Sequence, residues 1–132
     1  LYFADSEETA WAEWYRFLAE TGLPPDQALP RDLWECRIDL TDVADLSDVG
    51  KLAAAGLAQP RPGRHDWPSC QLVVMTLWQE GCRGVLAPSA ARPESGRVLC
   101  VFRTNCREEG TEPVPPPTSY AKPPLVPHGL RT

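Results

Sequence analysis

The chain has 132 residues, of which 42% are hydrophobic and 23% charged, and its formal net charge is −5. This length fits one domain with a hydrophobic core, and the composition is typical of a globular protein. The negative charge argues against a nucleic-acid-binding protein, because such binding relies on an excess of positive charge. No apolar run reaches the roughly 20 residues that a membrane helix needs, and no signal-peptide pattern is present, so a cytoplasmic location is expected.

The cysteines show no pattern of a disulfide framework or a metal site. Their odd number, the absence of a C-x-x-C pair and the absence of a nearby histidine pair favour reduced thiols and no bound metal. The only histidines are His65 and His128. The five cysteines are Cys36, Cys70, Cys82, Cys100 and Cys106.

The first 20 residues predict a short strand followed directly by an amphipathic helix. Residues 1–4 favour a strand, Asp5 or Ser6 can cap the helix, and two glutamates follow in its first turn. Apolar residues then recur at helical spacing, which predicts a helix packed against a sheet. These apolar residues are Ala10, Trp14, Phe17 and Leu18.

Glu13 lies at the border of this apolar stripe. A carboxylate held there is half-desolvated, and burying an isolated charge is costly, so such a group has either a partner or a function. Its two interpretations at this point are a solvated helix residue and a catalytic acid.

The middle of the chain alternates predicted strands and helices. Residues 33–40 alternate apolar and polar side chains, which predicts a half-buried strand, and residues 41–46 predict a second short strand. Ser47 can cap a short helix that Gly56 ends. Residues 59–64 form a loop whose basic residues are either solvated or meet a phosphate. Two further strands are predicted at residues 84–87 and 97–102.

A second long helix is predicted from Asp66, as its cap, to Gly81. Because it is apolar on more than one side, we expect it to be the central core helix. Gln71 would then be a buried polar residue that makes either an internal hydrogen bond or a ligand contact.

Ser89 stands just past the end of the predicted strand 84–87, with Pro88 between them. Ligands of open α/β proteins gather at strand ends, so its hydroxyl is a candidate ligand contact. A turn residue is the alternative.

The composition changes near residue 106. Residues 107–132 are rich in proline and lack apolar periodicity, which predicts an extended, partly disordered tail that can lie across the domain. The predicted organisation is therefore a domain at residues 1–106 and a Pro-rich tail at residues 107–132.

Several segments follow one another from residue 1 to about residue 102, in the order LYFADSEETAWAE, WECRIDL with DVADLSD, WPSCQ and GVLAPSAARPESGRVLCVF. Together they resemble the RES domain, the toxin component of a group of bacterial toxin–antitoxin systems. The family is named for an Arg, a Glu and a Ser. Glu13 matches the family Glu as the catalytic residue, Ser89 matches the Ser, and Tyr2 matches the tyrosine of the LY-x-A strand; the last two are implied ligand-binding residues.

The resemblance implies an α+β fold with an ADP-ribosyltransferase-like mixed sheet core and flanking helices. It also implies NAD as substrate, with cleavage of the nicotinamide–ribose bond by hydrolysis or by phosphorolysis with inorganic phosphate, no metal, and neutralisation by a cognate antitoxin. Transfer of ADP-ribose to a protein, and a non-catalytic module that docks a partner, remain alternatives. A homo-oligomer is left open.

The family arginine has no counterpart here, because it normally lies upstream of the matching tyrosine, and we expect the N-terminal part of the domain to lie outside this chain. Such an arginine would grip the pyrophosphate of NAD. Substitutes outside the family position are Arg31, Arg61, Arg64, Arg83 and Arg92.

Overall fold

The computed structural model describes residues 1–61, 63, 67–106 and 110–132. The described strands are β1 (Tyr2–Ala4), β2 (Arg31–Ile38), β3 (Val43–Asp45), β4 (Gly84–Pro88), β5 (Arg97–Val101) and β6 (Thr111–Tyr120). The described helices are α1 (Glu7–Thr21), α2 (Val49–Ala54), α3 (Trp67–Gln79) and the short α4 (Arg103–Cys106), with a 3₁₀ turn at Pro25–Ala28.

Four strands form a mixed sheet in the order β1-β5-β4-β3. The pairs β1–β5 and β5–β4 are antiparallel, whereas β3 and β4 are parallel. Ala4 and Ala87 both align with Val98 of β5, so β1 and β4 end at the same edge of the sheet. This mixed sheet with flanking helices confirms the predicted α+β class.

Helix α1 begins where its sequence predicts. Ser6 is its N-cap, and its hydroxyl accepts a hydrogen bond from the backbone N–H of Thr9 at 3.2 Å. Asp5 instead accepts a hydrogen bond from the backbone N–H of Arg97 at 3.0 Å, which joins the end of β1 to β5. Gly22 ends the helix in the left-handed conformation that glycine adopts without strain.

The core cluster is built on α1 from Trp11, Trp14 and Leu18. The predicted stripe is only partly confirmed, because Phe17 is 54% exposed, whereas Trp11 is buried. The indole rings of Trp11 and Trp14 meet edge to face, with centroids 5.3 Å apart. The buried side of α1 therefore carries the two indole rings and not Phe17.

The Pro-rich segment differs from its prediction. Residues Thr111–Tyr120 form β6, which pairs with β2 in a separate two-stranded sheet. The pairing passes from Leu33 and Thr118 to Glu35 and Val114, so the three prolines 115–117 fall at a register shift. A proline has no N–H to donate, and bulges and edge strands tolerate it. Tyr120 then packs against the core cluster, so this segment is part of the packed structure.

Strand β2 is more exposed than its alternation predicts. Trp34 is 48% exposed and Ile38 36%, while Leu33 packs against the core cluster. The register shift between Leu33 and Glu35 breaks the strict two-residue period on which the prediction relied.

The prediction that α3 is the central core helix is wrong. Leu72, Met75 and Trp78 are 68%, 55% and 43% exposed. Gln71 is also exposed, so it makes no buried hydrogen bond. The tryptophans of α1 fill the core cluster, and a helix that is apolar on several sides does not specify which side is covered.

Smaller predictions differ in detail. Asp48 caps α2 instead of Ser47, with its carboxylate 2.9 Å from the backbone nitrogen of Lys51. The predicted Asp66 cap and Arg64 of the predicted loop 59–64 lie outside the described residues.

Among the described residues, no helix is long and apolar enough to span a bilayer.

Candidate functional site

The candidate site lies where α1 passes the loop that follows β4. Ser89 comes directly after Pro88, the last residue of β4, and its backbone N–H donates to the Gly96 carbonyl at 2.9 Å. The loop therefore closes on itself between β4 and β5. Gly96 and Thr9 of α1 are both buried, so the helix and the loop pack closely.

Glu13 and Ser89 are brought together here. The Ser89 hydroxyl donates to Oε1 of Glu13 at 2.6 Å, and it accepts hydrogen bonds from the backbone N–H groups of Ala91 at 3.1 Å and Arg92 at 3.0 Å. Ser89 exposes none of its surface. In this structure it therefore anchors the carboxylate of Glu13 and does not face solvent.

Arg16 holds the other oxygen of Glu13. Its Nε and Nη2 atoms both lie 2.9 Å from Oε2 of Glu13, and its Nη1 binds Glu20. The side chains of Glu13 and Arg16 are 23% and 20% exposed, so the ion pair is mostly shielded from water. Burial acts to lower the pKa of Arg16, but the two carboxylates outweigh it and raise that pKa.

The sequence analysis did not identify Arg16. The signal was present in the spacing, because residues three and four apart are neighbours on a helix surface. Arg16 follows Glu13 by three positions and precedes Glu20 by four. Such spacing is common on solvated helices, so only the contact with Ser89 distinguishes this pair.

Tyr2 lies apart from this cluster. It is 80% exposed and lines a cavity of about 840 Å³ between β1, the start of α1 and the β2–β6 sheet. Neither Glu13 nor Ser89 lines this cavity, but Ala10 does, one helical turn before Glu13. The neighbouring side chain of Cys100 is the main cause that raises the pKa of Tyr2.

The cavity is aromatic and acidic. Its walls include Tyr2 and Trp34 together with the acids Asp5, Glu7 and Glu35, and no arginine or lysine lines it among the described residues. A smaller cavity of about 270 Å³ shares Ala10 and Leu33 with it and continues along the same side of α1.

The candidate arginines are dispersed. Arg31 lines the smaller cavity, whereas Arg92 is buried and its Nη2 pairs with Glu8 at 2.9 Å. Arg61 is exposed, and Arg83 is half-buried. Arg64 lies outside the described residues. None of the four described candidates is hydrogen-bonded to Glu13, which Arg16 holds instead.

The arrangement suits chemistry that develops positive charge. Glu13, Arg16 and Glu20 together carry a formal charge of −1, and the carboxylate of Glu13 is fixed through both oxygens. A fixed, partly desolvated carboxylate stabilises a nearby cationic centre more strongly than a solvated one. Within the described ranges, no group of three His, Cys, Asp or Glu side chains is placed to hold a metal ion.

Comparison with a solved structure shows the same fold. The chain matches a chain in the crystal structure of the M. tuberculosis MbcT–MbcA toxin–antitoxin complex with a TM-score of 0.73 and 22% sequence identity. The match covers 91% of this chain and 65% of that one, so this chain spans less than two thirds of its neighbour's length. Among curated proteins, none matches this chain.

The family model of the RES domain matches residues 1–124. This range includes Tyr2, Glu13 and Ser89 as well as strand β6. Because the match covers nearly the whole chain, the chain belongs to the RES domain family.

Proposed function

We propose that this chain is a RES-type toxin that cleaves the nicotinamide–ribose bond of NAD⁺ and so depletes the cell of NAD⁺. One observation carries this proposal. The carboxylate of Glu13, in the family's strand-then-helix context, is fixed through Oε1 by Ser89 and through Oε2 by Arg16. Because the chain belongs to the RES family, we interpret this carboxylate as the catalytic Glu of the family.

The reaction needs little more than such a carboxylate. Breaking the N-glycosidic bond of NAD⁺ passes through a ribose with oxocarbenium character, and a fixed negative charge stabilises it. Nicotinamide leaves as a neutral molecule and needs no general acid. One carboxylate can therefore suffice where glycosidases use two.

The cavity beside Tyr2 suits the cationic end of NAD⁺. Its volume of about 840 Å³ is large enough for a nucleotide, since ligand sites usually measure about 300–1,000 Å³. Aromatic rings attract a cation placed over their faces, and the acids of the wall favour the positively charged nicotinamide ring. Tyr2 would stack on nicotinamide or ribose at the end nearest Ala10.

A cognate antitoxin is the proposed partner. The structural neighbour is described as a member of a toxin–antitoxin complex. A partner that blocks the reaction would cover the cavity beside Tyr2. The exposed apolar residues of this chain also suit a protein contact, and they include Leu72, Met75 and Trp78 of α3.

The direct test follows nicotinamide release from NAD⁺. We expect turnover by the protein and a loss of at least about 100-fold in Glu13→Gln, because removal of one electrostatic stabiliser typically costs that much. Glu112→Gln is the matched control, since this carboxylate is 72% exposed and pairs with the exposed Arg37. Circular dichroism shows whether each variant keeps its fold.

The products separate the alternatives. Release that depends on inorganic phosphate indicates phosphorolysis, and release independent of it indicates hydrolysis. ADP-ribose attached to a protein indicates a transferase. No release by the folded protein contradicts the proposed activity and leaves a module that docks a partner.

A further inference from the structure

The carboxylate of Glu13 has few acceptor sites left. Oε1 accepts from the Ser89 hydroxyl at 2.6 Å and, more weakly, from the backbone N–H of Ala91 at 3.4 Å, while Oε2 accepts from Nε of Arg16, whose Nη2 forms an ion pair with the same oxygen. An ionised carboxylate offers about four lone-pair sites. Most of them are therefore filled from within the protein, and the orientation of the group is fixed.

Arg16 is itself held in place. Its Nη1 binds Oε1 of Glu20, and that oxygen also accepts from the backbone N–H of Gly63 at 3.4 Å. The side chains of Arg16 and Glu20 are only 20% and 21% exposed. The network therefore runs from the buried Ser89 through Glu13 and Arg16 to Glu20.

The charges of this network argue against a role for Arg16 as a phosphate grip. Two carboxylates lie against its single guanidinium, so a diphosphate that approached Arg16 would meet a net negative cluster. Two of its nitrogens, Nε and Nη1, already donate hydrogen bonds to these carboxylates, and Nη2 forms an ion pair with Oε2 of Glu13. The guanidinium therefore restrains the carboxylate of Glu13 through the single oxygen Oε2, by a charge-assisted contact.

We infer that Arg16 is a positioning residue that fixes Oε2 of Glu13 while Ser89 fixes Oε1, with Glu20 restraining Arg16. The consequence for catalysis rests on the proposed function of Glu13. Arg16 acts only through Glu13 and makes no contact with the substrate.

The kinetic test separates positioning from substrate binding. Arg16→Gln is expected to lower kcat for nicotinamide release about 10- to 100-fold, because small displacements of a catalytic group can cost up to about 100-fold. KM for NAD⁺ is expected to stay within about threefold, since uniform binding is unchanged. Arg16→Lys should recover part of the loss, because its ammonium can still bind one carboxylate.

The control is Arg37→Gln, which removes an exposed arginine paired with the exposed Glu112 and should leave both constants unchanged. A rise in KM of tenfold or more for Arg16→Gln with unchanged kcat would show that Arg16 binds substrate, and would overturn the inference. Wild-type kinetics in Arg16→Gln would also overturn it.

A second measurement does not depend on activity. Thermal unfolding of Glu13→Ala, Arg16→Ala and the double variant forms a double-mutant cycle. The expected result is that the double variant loses less of its unfolding midpoint than the sum of the two single losses. If the losses in unfolding midpoint are additive, the inferred positioning role of Arg16 is overturned, even if NAD⁺ is cleaved. Absence of nicotinamide release from the wild type overturns only the proposed function.

Discussion

The hydroxyl of Ser89 lies 2.6 Å from Oε1 of Glu13, although 76 positions separate the two residues in the sequence. The contact joins α1 to the loop after β4. It exists because β1 and β4 both end at the same edge of the sheet, and α1 starts from that edge. The carboxylate is therefore oriented by the topology of the sheet.

Replacing Ser89 by alanine tests this contact. We expect Ser89→Ala to lower the free energy of unfolding by about 1–3 kcal/mol, because the buried N–H groups of Ala91 and Arg92 lose their acceptor. Nicotinamide release should fall about 10- to 100-fold as Glu13 loses one support. Ser95→Ala, on the exposed part of the same loop, should change neither quantity. Equal effects of the two substitutions would contradict the anchoring role.

Substitution of Tyr2 tests whether the cavity that it lines belongs to the NAD⁺ site. Stacking of a base on an aromatic side chain is worth about 1–3 kcal/mol, so Tyr2→Ala should raise KM for NAD⁺ roughly 5- to 150-fold. Tyr2→Phe retains the ring and should stay within about threefold of the wild type. Steady-state kinetics measures both. If KM of Tyr2→Ala equals that of the wild type, the cavity of about 840 Å³ serves another purpose.

Substitution of Gly96 by alanine tests how closely α1 must approach the loop between β4 and β5. A methyl group at Gly96 would lie 2.7 Å from Oγ1 and 2.9 Å from Cγ2 of Thr9, which is buried. Gly96→Ala should therefore move the helix away from the loop and cost about 1–3 kcal/mol in the free energy of unfolding, as overpacking does.

Urea unfolding of Gly96→Ala provides the measurement. The control is Ser95→Ala at the exposed neighbouring position, which removes one hydroxyl oxygen without adding a methyl group and should not destabilise the protein. A Gly96→Ala variant as stable and as active as the wild type would show that the close approach of α1 is not required.

Tyr120 provides a prediction on pH. Its hydroxyl donates to Glu7, and this hydrogen bond is the main cause that raises the pKa of Tyr120 above its ordinary value of 10.0. Because the pKa is raised in the folded state, the protonated form of Tyr120 stabilises the folded protein. This stabilisation is complete below pH 10 and is lost as the pH rises through the pKa of the folded state. Tyr120→Phe should therefore lower the unfolding midpoint at pH 8, with the difference vanishing at higher pH.

Thermal unfolding between pH 8 and pH 12 measures this effect. Tyr120→Phe keeps the ring that packs edge to face on Trp11 at 4.7 Å, so only the hydroxyl is tested. Glu7→Gln should weaken the same pH dependence, because it removes the carboxylate that opposes ionisation of Tyr120. Parallel curves for the wild type and Tyr120→Phe would contradict the assignment.

The sequence by itself determined the elements whose signals are local. The start of α1 at Asp5 or Ser6, its helical period and the strand that precedes Ser89 follow from capping chemistry and spacing, and the motifs around Tyr2, Glu13 and Ser89 indicated the family. Local sequence specifies the helix start because residues within one turn supply both groups of the cap. The strand is marked locally by its apolar residues, although its hydrogen-bond partners lie in β3 and β5.

Only the tertiary structure decided which surfaces are covered and which distant residues meet. Helix α3 is apolar on several sides, yet three of its large side chains are exposed, whereas the tryptophans of α1 belong to the core cluster. The prolines of β6 do not favour a strand in the sequence, and β6 depends on its pairing with β2. The paired residues Arg37 and Glu112 are 75 positions apart in the sequence. The role inferred for Arg16 likewise depends on the position of Ser89. The helix alone brings Arg16 next to Glu13, but only the fold brings Ser89 to the same carboxylate.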